Sequence, residues 1–364
     1  MRASSRLPFA SLLLIAPFFL WGTAMVAMKG VIPHTEPLFM AGLRILPAGV
    51  LILIVGALMG RPTPKGWQAW LWITLFGLVD GTLFQGFLAL GLVRTGAGLG
   101  SVMIDSQPLA VALMSLWLFK EEIGLWGWLG LGFGVCGISC IGLPNDLIVG
   151  LFSNGINFSN YSDMMMGGDT PPLRILNSLF ESGEWLMLLA ALSMAVGTVM
   201  IRFVSKHADP VMATGWHMIL GGLPLSVISA LTETQQWSNL VPSDWIALSY
   251  ATIFGSALAY GLFFYFAASG NLTSLSSLTF LTPIFALFFG NLWLNESLTP
   301  VQWGGVGLTL ISIYFINQRD NLKLGFAGLK IWGSQKVEGV EEVGSVNVVG
   351  KVVKVRGKLK IHQS

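Results

Sequence analysis

A few ionisable side chains inside long apolar segments are the residues of this sequence that could do chemistry. Arg44, Asp80 and Asp105 each stand in such a segment. A charged group in apolar surroundings is costly unless it faces a partner or a wet cavity, so each is a functional candidate. The planar guanidinium of Arg44 could bind a carboxylate or another anion through two parallel hydrogen bonds. The alternative is a structural ion pair of Arg44 with Asp80 or Asp105.

The two carboxylates could bind a cation or carry a proton. Asp105 precedes Pro108 by three residues, and a proline inside a helix removes one backbone hydrogen bond and frees a nearby carbonyl group. Gly81 and Gln85 follow Asp80 in the same apolar segment and should lie at a similar depth in the predicted span. We therefore expect either coupling to a proton gradient through Asp80 or Asp105, or a neutralised structural pair. No other cofactor and no metal site is expected.

Several aromatic and polar side chains inside the apolar segments could line the same path. They are Trp21, Gln107, His217, Tyr260 and Thr282. Pro108 and Pro283 are expected to kink equivalent helices, which either shapes a cavity or simply bends the helices for packing. Cys136 and Cys140 stand four residues apart in one apolar segment, with no His or carboxylate nearby in the sequence. They are expected to act as small packing residues.

The elements that position these residues must be membrane-spanning helices. Of the 364 residues, 54% are hydrophobic and only 10% are charged, and the mean hydropathy is +0.71. A span needs about 20 mostly apolar residues to cross roughly 30 Å of hydrocarbon. We predict an all-α integral membrane protein with ten transmembrane helices. The formal net charge of +2 gives no indication of nucleic-acid binding.

The predicted spans form two groups of five, separated by a polar segment. The first group occupies residues 7–143 and the second residues 184–318. Residues 144–183 are rich in Asn, Ser, Gly, Asp and Pro and are predicted to be a polar extracytoplasmic linker. Residues 319–364 form a basic tail. The Lys and Arg residues beside the spans predict that both termini are cytoplasmic or stromal, in a cell or plastid inner membrane.

The two groups of spans are related by an internal repeat with an offset of 175 residues. The aligned residues are Gly22-Thr23 with Gly197-Thr198, Pro108 with Pro283, Glu121 with Glu296, Trp128 with Trp303 and Gly132 with Gly307. Because each half has an odd number of predicted spans, the second half should enter the membrane in the opposite orientation. Inverted repeats of this kind permit alternating access around a site near the bilayer midplane.

Short motifs at the helix starts resemble those of a known family. They are Phe19-Leu20-Trp21-Gly22-Thr23 in helix 1, Glu36-Pro37 and Asp209-Pro210 before helices 2 and 7, and the Pro-to-Glu blocks at residues 108–121 and 283–296. Over residues 7–318 the sequence resembles the EamA-type proteins of the drug/metabolite transporter superfamily, including relatives of the plant "walls are thin" proteins. The resemblance implies ten helices, two EamA repeats and export or exchange of small metabolites. In the second half, His217 takes the place of an arginine equivalent to Arg44. The sequence therefore departs from a symmetric pair of arginines that would clamp a substrate.

We therefore expect a secondary transporter, an exporter or exchanger of small metabolites such as amino acids, working by alternating access. A flippase of lipids or lipid-linked sugars is the alternative function of the same fold. The sequence shows neither paired acids with His at metal spacing, as a membrane-embedded enzyme would need, nor a Walker motif for ATP-driven transport. The expected partners are a small-molecule solute and membrane lipids, and a homodimer is left open.

Overall fold

A computed structural model describes residues 7–142, 183–295 and 299–316, except residues 302, 309 and 313. Nearly all of these residues are helical, and none of them lies in a strand. Eight of the described helices are long and apolar enough to cross a membrane. The chain is thus an all-helical integral membrane protein. The predicted linker and tail fall almost entirely outside the described residues.

The first half contains five helices, here named α1 to α5. In chain order they span Leu7–Val31, Pro37–Leu58, Trp67–Arg94, Ala97–Ile104 continued by Gln107–Phe119, and Gly124–Gly142. The first four belong to the eight candidate spans. The fifth helix has 19 residues and occupies the position where the sequence predicts the fifth span.

The second half contains five more helices, α6 to α10. They span Gly183–Val204, Pro210–Thr232, Pro242–Tyr250 continued through Ala251–Leu258 and Ala259–Ser269, Leu272–Leu294, and Trp303–Ile316. The first four of these complete the eight candidate spans, and α10 is a shorter apolar helix. Gly270 and Asn271 separate α8 from α9.

Both halves carry the same backbone irregularities at equivalent positions. A π-helical segment occupies Gly77–Phe84 in α3 and Ala251–Leu258 in α8, 174 residues further on. The second helical segments of α4 and α9 end at Lys120 and Asn295, both with φ 54°. A left-handed residue ends a helix because it turns the chain away from the helix axis. The repeat detected in the sequence is therefore also present in the backbone.

The prolines of α4 and α9 follow interruptions of these helices. The first segment of α4 ends at Asp105, and α9 passes through a 3₁₀ turn over Leu278–Leu281. Pro108 and Pro283 then stand in the first turn of the next helical segment. Proline is tolerated there because its missing N–H would have no partner within the helix. Pro108 and Pro283 thus mark helix breaks rather than bends within continuous helices.

Glycines bring α2 and α7 close together. Gly42, Gly49 and Gly56 recur every seven residues of α2, and a Cβ atom at each would press on α7. A Cβ at Gly49 would lie only 2.7 Å from the carbonyl oxygen of Gly215. Helices in lipid associate through such close packing because the lipid tails remove the hydrophobic driving force between them. This contact fixes the rotation of α2, and with it the position of Arg44.

The aromatic core lies among α1, α3 and α8. The rings of Phe18, Phe76, Phe263 and Phe264 have no exposed surface. Phe18 packs edge-on against Phe263, with ring centroids 6.2 Å apart, and Phe76 packs edge-on against Phe264 at 5.0 Å. Phe76 and Phe264 also contact the imidazole ring of His217, one of the sequence-predicted candidates.

Ion pairs tie the helix ends together on one side of the bundle, here called the Arg61 rim. Arg61 Nη1 lies 3.4 Å from Asp209 Oδ2, which joins the α2–α3 loop to the start of α7. Arg202 Nη1 lies 3.5 Å from Glu121 Oε1, and Thr273 Oγ1 donates a hydrogen bond of 2.9 Å to Glu121 Oε2. These contacts connect the ends of α4, α6 and α9.

The helix ends on the opposite side, the His34 rim, are tied by a second set of contacts. His34 Nδ1 lies 3.0 Å from the Asp244 carboxylate, which links the α1–α2 loop to the start of α8. The Glu233 carboxylate accepts hydrogen bonds from the backbone N–H groups of Leu38 and Phe39, both at 2.8 Å. Contacts therefore close the bundle at both rims.

The start of α7 offers a simple stability test on the Arg61 rim. Asp209 Oδ1 accepts hydrogen bonds from the backbone N–H groups of Val211 at 3.0 Å and Met212 at 3.2 Å. We expect Asp209→Ala to lower the free energy of unfolding by about 1 kcal/mol, because it removes this cap. Asp209→Asn keeps a side-chain oxygen that can accept these hydrogen bonds, so its free energy of unfolding should fall by less. Thermal unfolding in detergent measures both variants, and equal losses would show that the cap contributes nothing.

Candidate functional site

An internal cavity of about 40 Å³ lies among the middle parts of seven helices, α1 to α4, α6, α8 and α9. Five of the sequence-predicted candidates line it. They are Trp21, Arg44, Asp105, Tyr260 and Thr282. This volume is on the order of one or two water molecules. A metabolite can therefore enter only after the surrounding helices move apart.

Arg44 is held in the cavity wall by neutral partners. Its Nη1 donates a hydrogen bond of 2.7 Å to Ser256 Oγ, in the π-helical segment of α8, and its Nη2 donates to Gln85 Oε1. Only 3% of Arg44 is exposed, and its Nε has no hydrogen-bond partner among the described residues. The sequence left open a structural ion pair of Arg44 with Asp80 or Asp105. The described residues contain no such pair. The positive charge of Arg44 thus remains available to an anionic group.

Gln85 connects Arg44 to Tyr260. Its Oε1 accepts from Arg44, and its Nε2 donates a hydrogen bond of 2.9 Å to Tyr260 Oη. The two contacts fix the orientation of the amide, because only its oxygen can accept. The ring of Tyr260 also packs edge-on against Trp21, with centroids 5.0 Å apart. The sequence analysis named Gln85 only as a neighbour of Asp80 and missed Ser256, although Ser256 is a polar residue in a long uncharged stretch.

Asp105 lies where the breaks of α4 and α9 meet. Ser101 Oγ donates a hydrogen bond of 3.2 Å to Asp105 Oδ2. Asp105 is 3% exposed, and none of the ion pairs in the described part of the chain includes it. Asp105 is therefore a buried acidic group that faces a cavity and accepts a hydrogen bond from a hydroxyl group.

Two further polar groups of the cavity wall have no hydrogen-bond partner within the described residues. They are Trp21 Nε1 and Thr282 Oγ1. A buried polar group left without a hydrogen bond costs about 1–3 kcal/mol. A polar solute in the cavity would recover this cost. Gln107 is also buried with both amide atoms unpartnered, but it is not among the residues that line the cavity.

Asp80 and His217 form a buried pair away from the cavity wall. His217 Nε2 lies 3.2 Å from Asp80 Oδ2, and the two side chains are 1% and 0% exposed. The imidazole stacks on Phe76, with centroids 4.1 Å apart, and its Nδ1 lies 2.6 Å from the carbonyl oxygen of Thr214. The sequence predicted both residues as pathway candidates but did not predict that they meet.

Glycines and the first π-helical segment bring this pair together. A Cβ atom at Gly81 would lie 2.9 Å from the carbonyl oxygen of His217, and one at Gly77 would lie 3.0 Å from it. Only residues without a side chain allow α7 to approach α3 this closely. Asp80 itself lies in the π-helical segment. The wider turns of a π-helix change the direction of the side chains that follow, and such segments are frequent at functional sites.

The sequence profile of the EamA-like transporter family matches residues 8–143 and 181–318. An uncharacterized transporter of Synechocystis is 60% identical over 316 residues, which cover 86% of this chain and 92% of that protein. A WAT1-related, chloroplastic protein of Arabidopsis thaliana is 52% identical over 308 residues, which cover 84% and 68% of the two chains. Each match extends over both halves of the helical bundle.

More distant proteins share the fold. The protein PecM of Dickeya dadantii is 28% identical over 290 residues, which cover 79% of this chain and 84% of PecM. A solved crystal structure superposes with a TM-score of 0.58 at 16% sequence identity, and covers 85% of this chain and 96% of its own. At this level of identity the superposition shows a common helical architecture.

Proposed function

This chain belongs to the EamA-like transporter family, whose members move small solutes across membranes, and we propose that its solutes are zwitterionic metabolites such as amino acids. The family is one of membrane transporters and not a family of enzymes. The proposed direction is export or exchange, as the family resemblance implies. The proposed membrane is a cell or plastid inner membrane, with both termini cytoplasmic or stromal.

The observation that carries this proposal is the presence of one basic and one acidic side chain, held by separate partners, on the same cavity. Arg44 and Asp105 both line it, and neither is the other's hydrogen-bond partner among the described residues. A guanidinium binds a carboxylate through parallel hydrogen bonds, and a buried carboxylate binds an ammonium group in the same charge-assisted way. An α-amino acid carries both groups on one carbon atom. It would neutralise both side chains at once.

Alternating access explains how such a solute reaches a cavity this small. The Arg61 rim and the His34 rim are both tied in the described conformation, so the solute can enter only when one set of contacts opens. Two halves with inverted repeats can exchange conformations around a fixed central site. In this mechanism the contacts of Arg61 with Asp209 and of His34 with Asp244 break in turn. In the proposed mechanism, the described conformation would be a closed intermediate.

A lipid flippase is the second candidate function, and the surface between α2 and α8 favours it. Two grooves of about 520 and 690 Å³ lie there and share Leu51 and Ile253. Both shared residues are exposed, so the joined groove faces lipid. Arg61 and Tyr265 line one groove, and Trp245 lines the other. An acyl chain would fit such an apolar groove, with its headgroup at one rim.

Counterflow in liposomes distinguishes the two functions. The purified protein is reconstituted with unlabelled alanine, threonine, leucine or phenylalanine inside, and the entry of the same radiolabelled amino acid is measured. We expect rapid exchange of at least one of them. We expect its N-acetyl and its amide derivatives to compete about tenfold less well, because each lacks one of the two charges. We also expect Asp105→Asn to lower exchange about tenfold or more, because it removes the partner of the ammonium group.

The matched control is Cys136→Ala, which changes an exposed side chain of α5. It should exchange amino acids like the unmodified protein. Derivatives with one charge that compete as well as the parent amino acid would contradict the zwitterion proposal. Absence of exchange for the whole panel, together with protein-dependent movement of a fluorescent lipid between leaflets, would instead establish the flippase function.

A further inference from the structure

We propose that Asp80 and His217 form one shared proton site, and that this site couples solute movement to a proton gradient. The inference rests on the proposed transport function and names the groups that carry the coupling proton. It starts from the hydrogen bonds of the imidazole ring. Both ring nitrogens have a partner, Thr214 on one side and Asp80 on the other.

The two contacts determine how many protons the pair holds. The carbonyl oxygen of Thr214 can only accept, so Nδ1 of His217, 2.6 Å away, carries a hydrogen. The second contact, 3.2 Å between Nε2 and Asp80 Oδ2, needs one more hydrogen. It is bound either to Nε2, facing a carboxylate, or to Oδ2, facing a neutral imidazole. Both forms contain the same number of protons and have no net charge.

Loss of this shared proton would leave two lone pairs facing each other. The neutral Nε2 and the carboxylate Oδ2 would repel, and a net negative charge would remain on a pair that is almost completely buried. An uncompensated charge in such surroundings is strongly disfavoured. The proton can therefore leave only in a conformation that admits water to the pair. The described conformation holds the proton, and a rearrangement of the helices is needed to release it.

Asp80 lies directly against α6, so a movement of α6 would be a rearrangement of this kind. A Cβ atom at Gly197 would lie 2.7 Å from Asp80 Cβ and 2.8 Å from its Cγ, so α6 covers the carboxyl group directly. Asp80 Oδ1, on the covered side, has no hydrogen-bond partner within the described residues. A movement of α6 away from α3 would expose this oxygen to water. Alternating access, which moves the two halves relative to one another, would thus open and close the proton site.

The charged and titratable groups of the neighbouring helices connect the pair to the solute cavity. Around the middle of the spans, among the described residues, these are Arg44 on α2, Asp105 on α4, Tyr260 on α8 and His217 itself on α7, while α6 presents only Gly197 to Asp80. The ring of Phe264 contacts both the His217 imidazole, with centroids 5.5 Å apart, and the Tyr260 ring, with centroids 5.9 Å apart. Tyr260 is linked in turn to Arg44 through Gln85. A solute carboxylate that neutralises Arg44 therefore changes proton binding at the pair. By thermodynamic linkage, the proton changes solute binding by the same factor.

Replacing Asp80 by Asn tests the site with little structural disturbance. The Asn amide can donate to a neutral Nε2, which preserves the hydrogen bond while it removes the proton that could be released. Asp80→Asn and His217→Gln are reconstituted in liposomes that contain the pH dye pyranine. Two quantities are measured with radiolabelled amino acids of the panel above, namely counterflow without a gradient and accumulation driven by an imposed pH difference.

We expect Asp80→Asn to keep counterflow within about twofold of the unmodified protein and to lose gradient-driven accumulation about tenfold or more, with no dye response to added solute. His217→Gln should lose coupling in the same way. The control is His34→Gln on the His34 rim, which removes the His of a second His–Asp pair of 3.0 Å whose His is 40% exposed. It should leave the ratio of protons to solute unchanged.

Two results would overturn the inference about the proton site without contradicting the proposed transport function. One is net solute uptake by the unmodified protein that does not respond to an imposed pH difference and moves no protons, and the other is normal proton coupling in Asp80→Asn. Either result leaves amino-acid transport intact. If the unmodified protein exchanges no solute of the panel, the proposed function fails, and the inference that rests on it fails with it.

Discussion

Replacing Arg44 by Gln should lower the initial rate of amino-acid exchange by about 30-fold or more, because truncating one partner of a buried, hydrogen-bonded charge pair costs about 2–5 kcal/mol. The same variant should unfold at an unchanged or higher temperature. The reason is that Arg44 is a buried cation whose partners, Ser256 and Gln85, are both neutral. Removing such a charge relieves a desolvation penalty, and the Gln amide can still bond to these partners. Counterflow and thermal unfolding in detergent measure the two effects.

Arg44→Lys is the matched comparison for this prediction. Lysine keeps the charge but lacks the planar fork that reaches Ser256 and Gln85 together. We expect its exchange rate to lie between those of the unmodified protein and Arg44→Gln. A fall in the unfolding temperature of Arg44→Gln that parallels the loss of transport would mean that Arg44 is a structural residue. The proposed solute site would then lose its anion-binding group.

Gly221→Ala should destabilise the protein by about 1–3 kcal/mol, as overpacking of a well-packed interior does. A Cβ atom at Gly221 would lie 2.7 Å from the carbonyl carbon of Gly81 and would also press on the carbonyl oxygen of Gly77. Both obstacles are backbone atoms, which cannot rotate away as a side chain can. The helices α3 and α7 must therefore separate. Because His217 stands one turn before Gly221, its bond to Asp80 should lengthen, and gradient-driven accumulation should fall together with the unfolding temperature.

Gly261→Ala provides the control within the same protein. Gly261 lies in α8, and a Cβ atom at this position would meet no atom within 4 Å. Alanine favours a helix more than glycine does, so this substitution should be neutral or stabilising by about 0.5–1 kcal/mol. If Gly221→Ala unfolds at the same temperature as Gly261→Ala, the close contact between α3 and α7 does not determine stability.

The Arg44 and Gly221 substitutions should affect transport and stability differently. The Arg44 variants should lower transport without lowering stability, because in the proposed site the charge binds the solute while its burial destabilises the fold. The Gly221 variant changes both together, because the close approach of α3 and α7 serves packing and the Asp80–His217 pair at once. Measuring flux and unfolding on the same samples therefore distinguishes a solute-binding residue from a packing residue.

The location of the helices could be predicted from the sequence because it depends on local composition. A stretch that is long and apolar is stable in hydrocarbon wherever it stands in the chain. The two predicted groups of spans, residues 7–143 and 184–318, contain all the described helices α1 to α10 except for the first residue of α6, Gly183. A difference of one residue is within the ordinary scatter of helix boundaries. The family resemblance also rested on short local motifs, such as Asp209-Pro210, where the Asp caps α7.

The candidate site could be predicted only in part. Ionisable residues in apolar segments are rare and costly, so Arg44, Asp80 and Asp105 were visible as candidates from the sequence alone. Their partners were not, since Asp80 and His217 are separated by 137 residues along the chain. The sequence allowed a pair of Arg44 with either carboxylate, and the structure places Arg44 on Ser256 and Gln85 instead.

The sequence by itself determined a membrane-embedded bundle of two related halves, because hydropathy and repeat spacing are properties of the linear chain. The tertiary structure decided which candidates face one another. Glycine contacts such as those of Gly49 and Gly81 set how closely the helices approach, and the π-helical segment Gly77–Phe84 sets where Asp80 points. Small rotations of a helix move a side chain from the cavity to a neighbouring helix. Such rotations depend on packing between distant segments, which no local pattern of residues contains.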